Sequence, residues 1–156
     1  MKTKRKKIIK RLLIVGLVGA VIGGGVLAYF WFMPHRDVKN TIADHSIKGV
    51  ELVEEYLTNA DAANEKYLAE DGDSDIFEVL GMVSDISENQ NGQTVILLKG
   101  PEDKAGISCT FIKGEDTSAI KLGDEVKIKG KIEVGASYDK DFEEYMDVVM
   151  GECSLV

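Results

Sequence analysis

The chain has 156 residues, with 19 Lys and Arg against 27 Asp and Glu, and its formal net charge is -8. This length allows about one domain besides a membrane segment and is too short for an active site divided between two lobes. The charge is unevenly distributed along the chain, and this asymmetry limits the classes of partner.

Basic residues are concentrated at the beginning of the chain. Residues 1–11 contain seven Lys and Arg and no acidic residue, so the rest of the chain has 12 basic and 27 acidic residues and a net charge of -15. A field of this sign repels phosphate backbones and favours cations or basic partner surfaces.

An uncharged apolar segment follows the basic residues. Residues 12–33 are 22 in number, and as a helix they would span about 33 Å, close to the ~30 Å hydrocarbon layer of a membrane. Tyr29 and Trp31 lie near its end, where aromatic rings favour the headgroup level, and Pro34 follows. We predict a transmembrane helix over 12–33, with residues 1–11 as a cytoplasmic stub and the following domain outside the plasma membrane.

A cleaved signal peptide is the alternative interpretation of this segment. Val26, Leu27 and Ala28 are similar to a small-residue cleavage site, which leaves cleavage open. The apolar run continues beyond them through Tyr-Phe-Trp-Phe-Met, and this favours an uncleaved signal-anchor.

A polar linker and a helical neck are expected next. We assign residues 34–45 to a juxtamembrane linker and 46–75 to a helical neck that ends in an acidic loop. Apolar residues at helical spacing predict two helices, separated at Thr58-Asn59. The first is indicated by Ile47, Val50, Val53 and Leu57, and the second by Ala60, Ala63, Tyr67 and Leu68.

From residue 76 the apolar residues alternate with polar ones, which is typical of half-buried strands. Asn91-Gly92 is a strong hairpin signal between the first two strands. The predicted strands are 77–87, 94–99, 106–112, 125–135 and about 147–156. A three-strand meander followed by two further strands predicts a small Greek-key barrel over 76–156.

Several stretches resemble the bacterial tRNA_anti-like family of OB-fold proteins. The resemblance covers roughly residues 47–156, and its motifs are structural, so it implies a fold and no catalytic residues. The matching stretches are Asn59 with Ala63–Tyr67, Phe77–Val83, Ile107–Phe111, Leu122–Lys131 and Gly151–Leu155. Together these observations predict an α+β chain with an N-terminal transmembrane helix, a short helical neck and a five-stranded OB-fold β-barrel.

The two cysteines are a candidate disulfide. Cys109 is in phase with Ile107 and Phe111, and Cys153 with Val149 and Leu155, so both side chains should face inward. The third and fifth strands of an OB fold are neighbours, and an extracytoplasmic compartment permits disulfides. Two buried thiols that never meet are the alternative.

The loop of residues 136–146, between the last two strands, is the candidate ligand site. OB folds usually bind on the face of their second and third strands, between the first and last inter-strand loops. The first loop offers only Glu88, Asn89, Gln90 and Asn91. The last loop combines aromatic and acidic side chains, and we select Tyr138, Asp139, Asp141, Phe142, Glu144 and Tyr145.

The chemistry of this loop favours a basic peptide, a glycan or a cation. Aromatic rings can stack on bases or sugars, but a nucleic-acid groove needs Lys and Arg, and this loop has only Lys140. A solvated loop whose aromatic residues cover the end of the barrel is the alternative interpretation.

Other patterns are weaker. Lys127, Lys129 and Lys131 form a basic stripe, which we interpret as a solvated strand face. Residues 71–75 begin like a calcium loop, but Ile76 stands where glycine is needed. His35 and His45 are too few for a metal cluster or a nucleophilic triad.

We therefore expect a non-catalytic module without metal or cofactor, held at the bacterial plasma membrane and presented to a protein, peptide or glycan of the envelope. Two alternatives stay open. One is a nucleic-acid-binding OB module, and the other is a small-ligand or cation sensor that signals through the helix.

Overall fold

The computed structural model describes residues 19–26, 28–29, 37–68 and 75–156. The chain divides into two compact units, Met1–Arg36 and Asp37–Val156. In the first unit, residues 19–26 and 28–29 are helical. No helix among the described residues is long and apolar enough to cross a membrane. The stub 1–11 and most of the predicted span 12–33 lie outside the described residues.

The second unit contains two helices and eight strands among the residues described. The helices are α1 (Gly49–Thr58) and α2 (Ala60–Tyr67). The strands are β1 (His45–Lys48), β2 (Ile76–Glu88), β3 (Thr94–Leu98), β4 (Ile107–Phe111), β5 (Glu125–Val134), β6 (Ser137–Asp139), β7 (Glu144–Met146) and β8 (Val148–Leu155).

Five of these strands close into a barrel. Their hydrogen-bonded order is β2-β3-β4-β8-β5, and β5 pairs again with β2. All pairs are antiparallel except β4 and β8, which are parallel. This Greek-key order, with the helices before the barrel, is an α+β OB fold, and the predicted fold of the domain is confirmed.

The long strand β2 has two successive neighbours. Ile76–Met82 pair with β5, and Val83–Glu88 pair with β3. The register shifts between Val83 and Asp85, where an irregularity of this kind bends a strand and increases its twist. A single strand can therefore turn the corner that closes the barrel.

Strand β1 was not predicted. It pairs in parallel with the start of β2, from His45 opposite Phe77 to Lys48 opposite Leu80. The assignment of Ile47 to the first helix was therefore wrong, because this side chain follows the period-two burial of a strand. The helical part of the predicted neck begins at Gly49, where a Cβ would lie 3.2 Å from Cδ1 of Ile107.

The two neck helices pack against the barrel, but α1 buries a different side from the one predicted. The buried side of α1 holds Leu52, Val53 and Tyr56, whereas Val50 is 49% exposed. The break at Thr58-Asn59 is confirmed, since the Asn59 side chain accepts a hydrogen bond from the Ala62 N–H at the start of α2.

Among the described residues, the hydrophobic core lies in the second unit. It joins the inner faces of the barrel strands to the neck helices and to Ala136, which lies just after β5. Its largest fully buried side chains include Tyr56, Phe77, Phe111, Ile96, Ile107, Ile128, Ile132 and Met150. Because the helices share this core, we expect residues 37–156 to fold as one unit.

The contact between Tyr56 and Gly135 gives a test of this shared core. A Cβ at Gly135 would overlap the Tyr56 ring, which is 1% exposed. We expect Gly135→Ala to lower the free energy of unfolding by about 1–3 kcal/mol, as overpacking does, in chemical denaturation. Ser137→Ala, at an exposed position nearby, should change it by less than about 0.5 kcal/mol.

The double variant Gly135→Ala, Tyr56→Leu separates overpacking from other causes. Removing the ring makes room for the new methyl group, so the two changes should cost less together than the sum of their separate costs. Strictly additive costs would show that the ring does not oppose the methyl group.

Candidate functional site

The outer surface of the barrel carries a row of uncharged side chains. Register places Leu97, Ser108, Val149 and Val134 side by side across β3, β4, β8 and β5. Val95 and Thr110 lie opposite each other in a second row. We call these six residues the uncharged face. Val134 is 56% exposed and the other five are half-buried.

Residues 137–146, at one end of this face, form the acidic hairpin. The sequence was interpreted as a loop here, but β6 and β7 pair from Ser137 opposite Met146 to Asp139 opposite Glu144. Tyr138 and Tyr145 lie opposite each other, with ring centroids 4.8 Å apart. Such cross-strand aromatic pairs stabilise a short antiparallel ribbon, and the predicted "loop" is therefore an ordered element.

The six selected residues have different roles within the acidic hairpin. The Asp139 carboxylate accepts hydrogen bonds from the N–H groups of Asp141 and Phe142 and so holds the turn. Phe142 is 79% exposed and Tyr138 is 47% exposed. Asp141 and Glu144 are also exposed, whereas Tyr145 is half-buried. The selected residues thus present two aromatic rings and two carboxylates to solvent, and the carboxylate of Glu143 is also exposed.

Two contacts join the acidic hairpin to the connection between β3 and β4. The Lys104 ammonium lies 5.6 Å from the ring centroid of Tyr145, within the range of a cation–π contact. The Gly106 N–H donates to the Asp147 carboxylate at 2.6 Å, just after the hairpin. The hairpin is therefore held against the barrel at its base.

The first inter-strand loop is organised around Asn89. Its side-chain oxygen accepts hydrogen bonds from the N–H groups of Asn91 and Gln93. Gly92 has a φ of 73°, which suits the predicted turn. The Gln93 amide then donates to the carbonyl of Phe111. These polar side chains are used to build the loop.

The basic stripe of β5 is occupied by contacts within the domain. Lys127 is 3.6 Å from the Glu78 carboxylate, and Lys131 is 2.9 Å from that of Glu152. Lys129 donates to the carbonyl of Thr41 at 3.0 Å. The prediction of a solvated strand face was therefore incomplete. The three lysines bind side chains of the neighbouring strands and a backbone carbonyl of the segment before β1.

A polar and aromatic cluster in the neck escaped the sequence analysis. The His45 ring stacks on Phe77 with centroids 4.8 Å apart, and its Nε2 lies 2.8 Å from the Asp75 carboxylate. Tyr67 meets the His45 ring edge-on. Because His45 and Asp75 are 30 positions apart in the sequence, no local pattern could have indicated the pair.

Glu55 completes the neck cluster. Its carboxylate accepts hydrogen bonds from the Tyr67 hydroxyl at 2.6 Å and the Lys66 ammonium at 3.0 Å. These two bonds, with that of Tyr67 the stronger cause, hold the pKa of Glu55 below its ordinary value. Burial, together with the bond to Glu55, raises the pKa of Tyr67. The cluster therefore joins α2 to α1, and we interpret its role as structural.

Among the described residues, no group of three or more His, Cys, Asp or Glu side chains is arranged so that it could hold a metal ion. Residues 71–74 of the calcium-like sequence, and His35, lie outside the described part of the chain.

The two cysteines lie on neighbouring strands, as predicted, and both are fully buried as free thiols. A hydrogen bond with Cys109, reinforced by burial, raises the pKa of the Cys153 thiol well above its ordinary value. Gly130 leaves the space for this thiol, since a Cβ there would lie 2.7 Å from the Cys153 Sγ. The structure therefore brings both sulfur atoms to one place in the core.

The predicted phase of β8 was partly wrong. Val149 and Leu155 are only half-buried, whereas Met150 and Cys153 are fully buried. Glu152 has a φ of 52°, and the register of β8 against β4 and β5 shifts nearby. This irregularity resets the alternation, so Cys153 points inward three residues after Met150.

We predict that Cys109 and Cys153 form a disulfide in the mature protein. The bond would close a loop with 43 residues between the cysteines, and the chain-entropy model gives a stabilisation of about 4 kcal/mol. Buried, protonated thiols exchange slowly, so oxidation should occur during folding. Mass spectrometry of envelope protein alkylated without reduction should find both residues unmodified and joined. Alkylation of both residues after unfolding in denaturant, without prior reduction, would contradict the bond.

Comparison with known proteins gives a family. The model of the tRNA_anti-like family matches residues 1–141, and the chain belongs to this family. The match includes the N-terminal segment, whereas the stretches of sequence that resemble the family begin at Asn59. It stops before β8, the last strand of the barrel. A search of curated proteins finds no match.

Proposed function

We propose that the protein is a non-catalytic, membrane-anchored OB-fold module that binds a protein, peptide or glycan of the bacterial envelope outside the plasma membrane. The observation that carries the proposal is the uncharged face, with the acidic hairpin at one end. A partly exposed barrel surface of this composition suits a partner that offers apolar or hydroxyl groups and positive charge.

The charges of the domain support this class of partner. Residues 37–156 contain 11 Lys and 27 Asp and Glu, a net charge of -16. The lysines that line β5 are paired with carboxylates or backbone carbonyls. A phosphate backbone would have to displace those contacts and enter a repulsive field. Nucleic acid is therefore the weaker candidate.

The anchor is supported by the first unit of the chain. Residues 12–33 are uncharged and follow seven basic residues. Within the described helical residues, Val21, Ile22 and Tyr29 have exposed fractions of 68%, 62% and 64%. Exposed apolar side chains of this kind suit a lipid environment. The basic residues favour a cytoplasmic N-terminus, which leaves the OB domain on the extracytoplasmic side.

Photocrosslinking in living cells tests the binding module. A photoreactive amino acid replaces Phe142 in the full chain, and the matched control replaces Leu122, which is 65% exposed in the connection between β4 and β5. We expect a discrete adduct from position 142, in which mass spectrometry identifies a second protein, a peptide or a glycan, and none from position 122. A nuclease-sensitive adduct would support the nucleic-acid alternative instead, and equal labelling from both positions would contradict a site at the hairpin.

The predicted orientation is tested separately. A reporter enzyme that is active only outside the cytoplasm, fused after Val156, should be active, because seven basic residues oppose translocation of the N-terminus. A second fusion at the same position to a reporter that works only in the cytoplasm should be inactive. The opposite pair of results would reverse the topology and remove the extracytoplasmic setting on which the disulfide depends.

A further inference from the structure

A second surface, apart from the uncharged face, lies between α1 and the connection from β3 to β4. It is a groove of about 400 Å³. One wall is formed by α1, with Val50, Val53 and Leu57, and the other by the residues around Glu102 and Lys104. We call it the neck groove.

The floor of the neck groove is apolar. Val50, Val53 and Leu57 recur at i, i+3 and i+7, so they form one stripe along α1. Val53 is 5% exposed and Leu57 is half-buried, whereas Val50 is 49% exposed. The stripe starts in the core and continues into the open groove. The sequence predicted that Val50 would be buried, because it belongs to the apolar stripe of the helix. In the domain this side chain instead lines the open groove.

The rim of the neck groove is acidic. Glu54 on α1 and Glu102 on the opposite wall are both exposed. Asp103 also lines the groove, but its carboxylate accepts the Gly100 N–H at 2.6 Å and holds the turn. Lys104 is the basic lining residue, and its ammonium is directed to the Tyr145 ring. Carboxylates therefore dominate the charge that faces an incoming ligand.

The neck groove adjoins the acidic hairpin. Lys104 lines the groove and also contacts Tyr145 of the hairpin, and β6 contacts α1. A single extended ligand that leaves the groove beside Lys104 would therefore meet the hairpin, with its exposed Phe142.

We propose that the neck groove binds an apolar side chain of a cationic peptide segment, with flanking basic residues paired to Glu54 and Glu102. This inference rests on the proposed binding function and specifies its partner as a basic, amphipathic segment of a protein. The apolar side chains of the floor contain no oxygen or nitrogen ligand for a bare cation, and the acidic rim repels phosphate. A second copy of the domain is disfavoured, since its net charge has the same sign.

Peptide binding to the full chain tests the inference. The probe is a fluorescein-labelled synthetic peptide, Gly-Lys-Leu-Lys-Lys-Leu-Lys-Gly, with the full chain purified in a neutral maltoside detergent and ~150 mM salt, where the Debye length is about 8 Å. Fluorescence anisotropy should show saturable binding. Replacement of both Leu by Ser in the probe should weaken it at least about tenfold, equivalent to about 1.4 kcal/mol.

Paired variants separate the neck groove from the general charge of the domain. Val50→Ser with Glu102→Gln removes part of the floor and part of the rim, and both positions are exposed. Leu122→Ser with Glu125→Gln likewise replaces an apolar residue by Ser and a Glu by Gln, at exposed positions elsewhere. The first pair should weaken binding at least about tenfold, and the second less than about twofold. Unchanged thermal melting verifies that both pairs fold.

The outcomes separate this inference from the proposed function. Equal weakening by both pairs, or indifference to the Leu-to-Ser change, would leave only non-specific electrostatic attraction and overturn the inference. In that case a protein adduct at position 142 would still support the binding module. Conversely, a reversed topology would contradict the proposed location without changing peptide binding in detergent.

Discussion

The double pairing of β2 is the constraint on which the rest of the domain depends. Its first half is hydrogen-bonded to β5 and its second half to β3, so one strand belongs to both sides of the barrel. Phe77, on its inner face, lies opposite Gly130 of β5. Without this closure β5 would have an unpaired edge, and the neck helices would have no continuous surface to cover. The position of α1, and hence of the neck groove, follows from it.

The segment before β1 is held to the barrel by charged side chains. Lys39 pairs with Glu115 at 2.9 Å, and this carboxylate is only 8% exposed. Its other oxygen accepts the Leu155 N–H in the last strand. Lys129 adds its bond to the Thr41 carbonyl. A charge-assisted bond with limited solvent access is stronger than an exposed ion pair. The entry of the chain into the domain is therefore fixed beside its final strand.

The sequence predicted the elements whose signals are local. The five barrel strands follow from alternation, and the turn at Asn91-Gly92 from its dipeptide. Strand β1 could not be predicted, since its four residues are defined by pairing with β2 across the chain. The phase of Cys153 depended on the left-handed backbone of Glu152, which no pattern of apolar residues reveals. The acidic hairpin was chosen as a site from its composition and its place between the last two strands, while its order depends on the contact between Tyr138 and Tyr145.

The arrangement of charge and apolar surface suggests a division of roles in recognition. The net charge of -16 on residues 37–156 acts over about a Debye length, roughly 8 Å at physiological salt, and attracts any basic partner without selecting among them. Selection of one partner requires contacts that remove water from apolar surface. Such contacts are available where uncharged side chains are exposed, at Val50 in the neck groove and at Val134 on the uncharged face. Since each apolar area is small, neither would hold a partner strongly alone. A ligand that uses both areas, or one of them with the exposed ring of Phe142, would gain affinity from their combination, which favours an extended segment over a compact one.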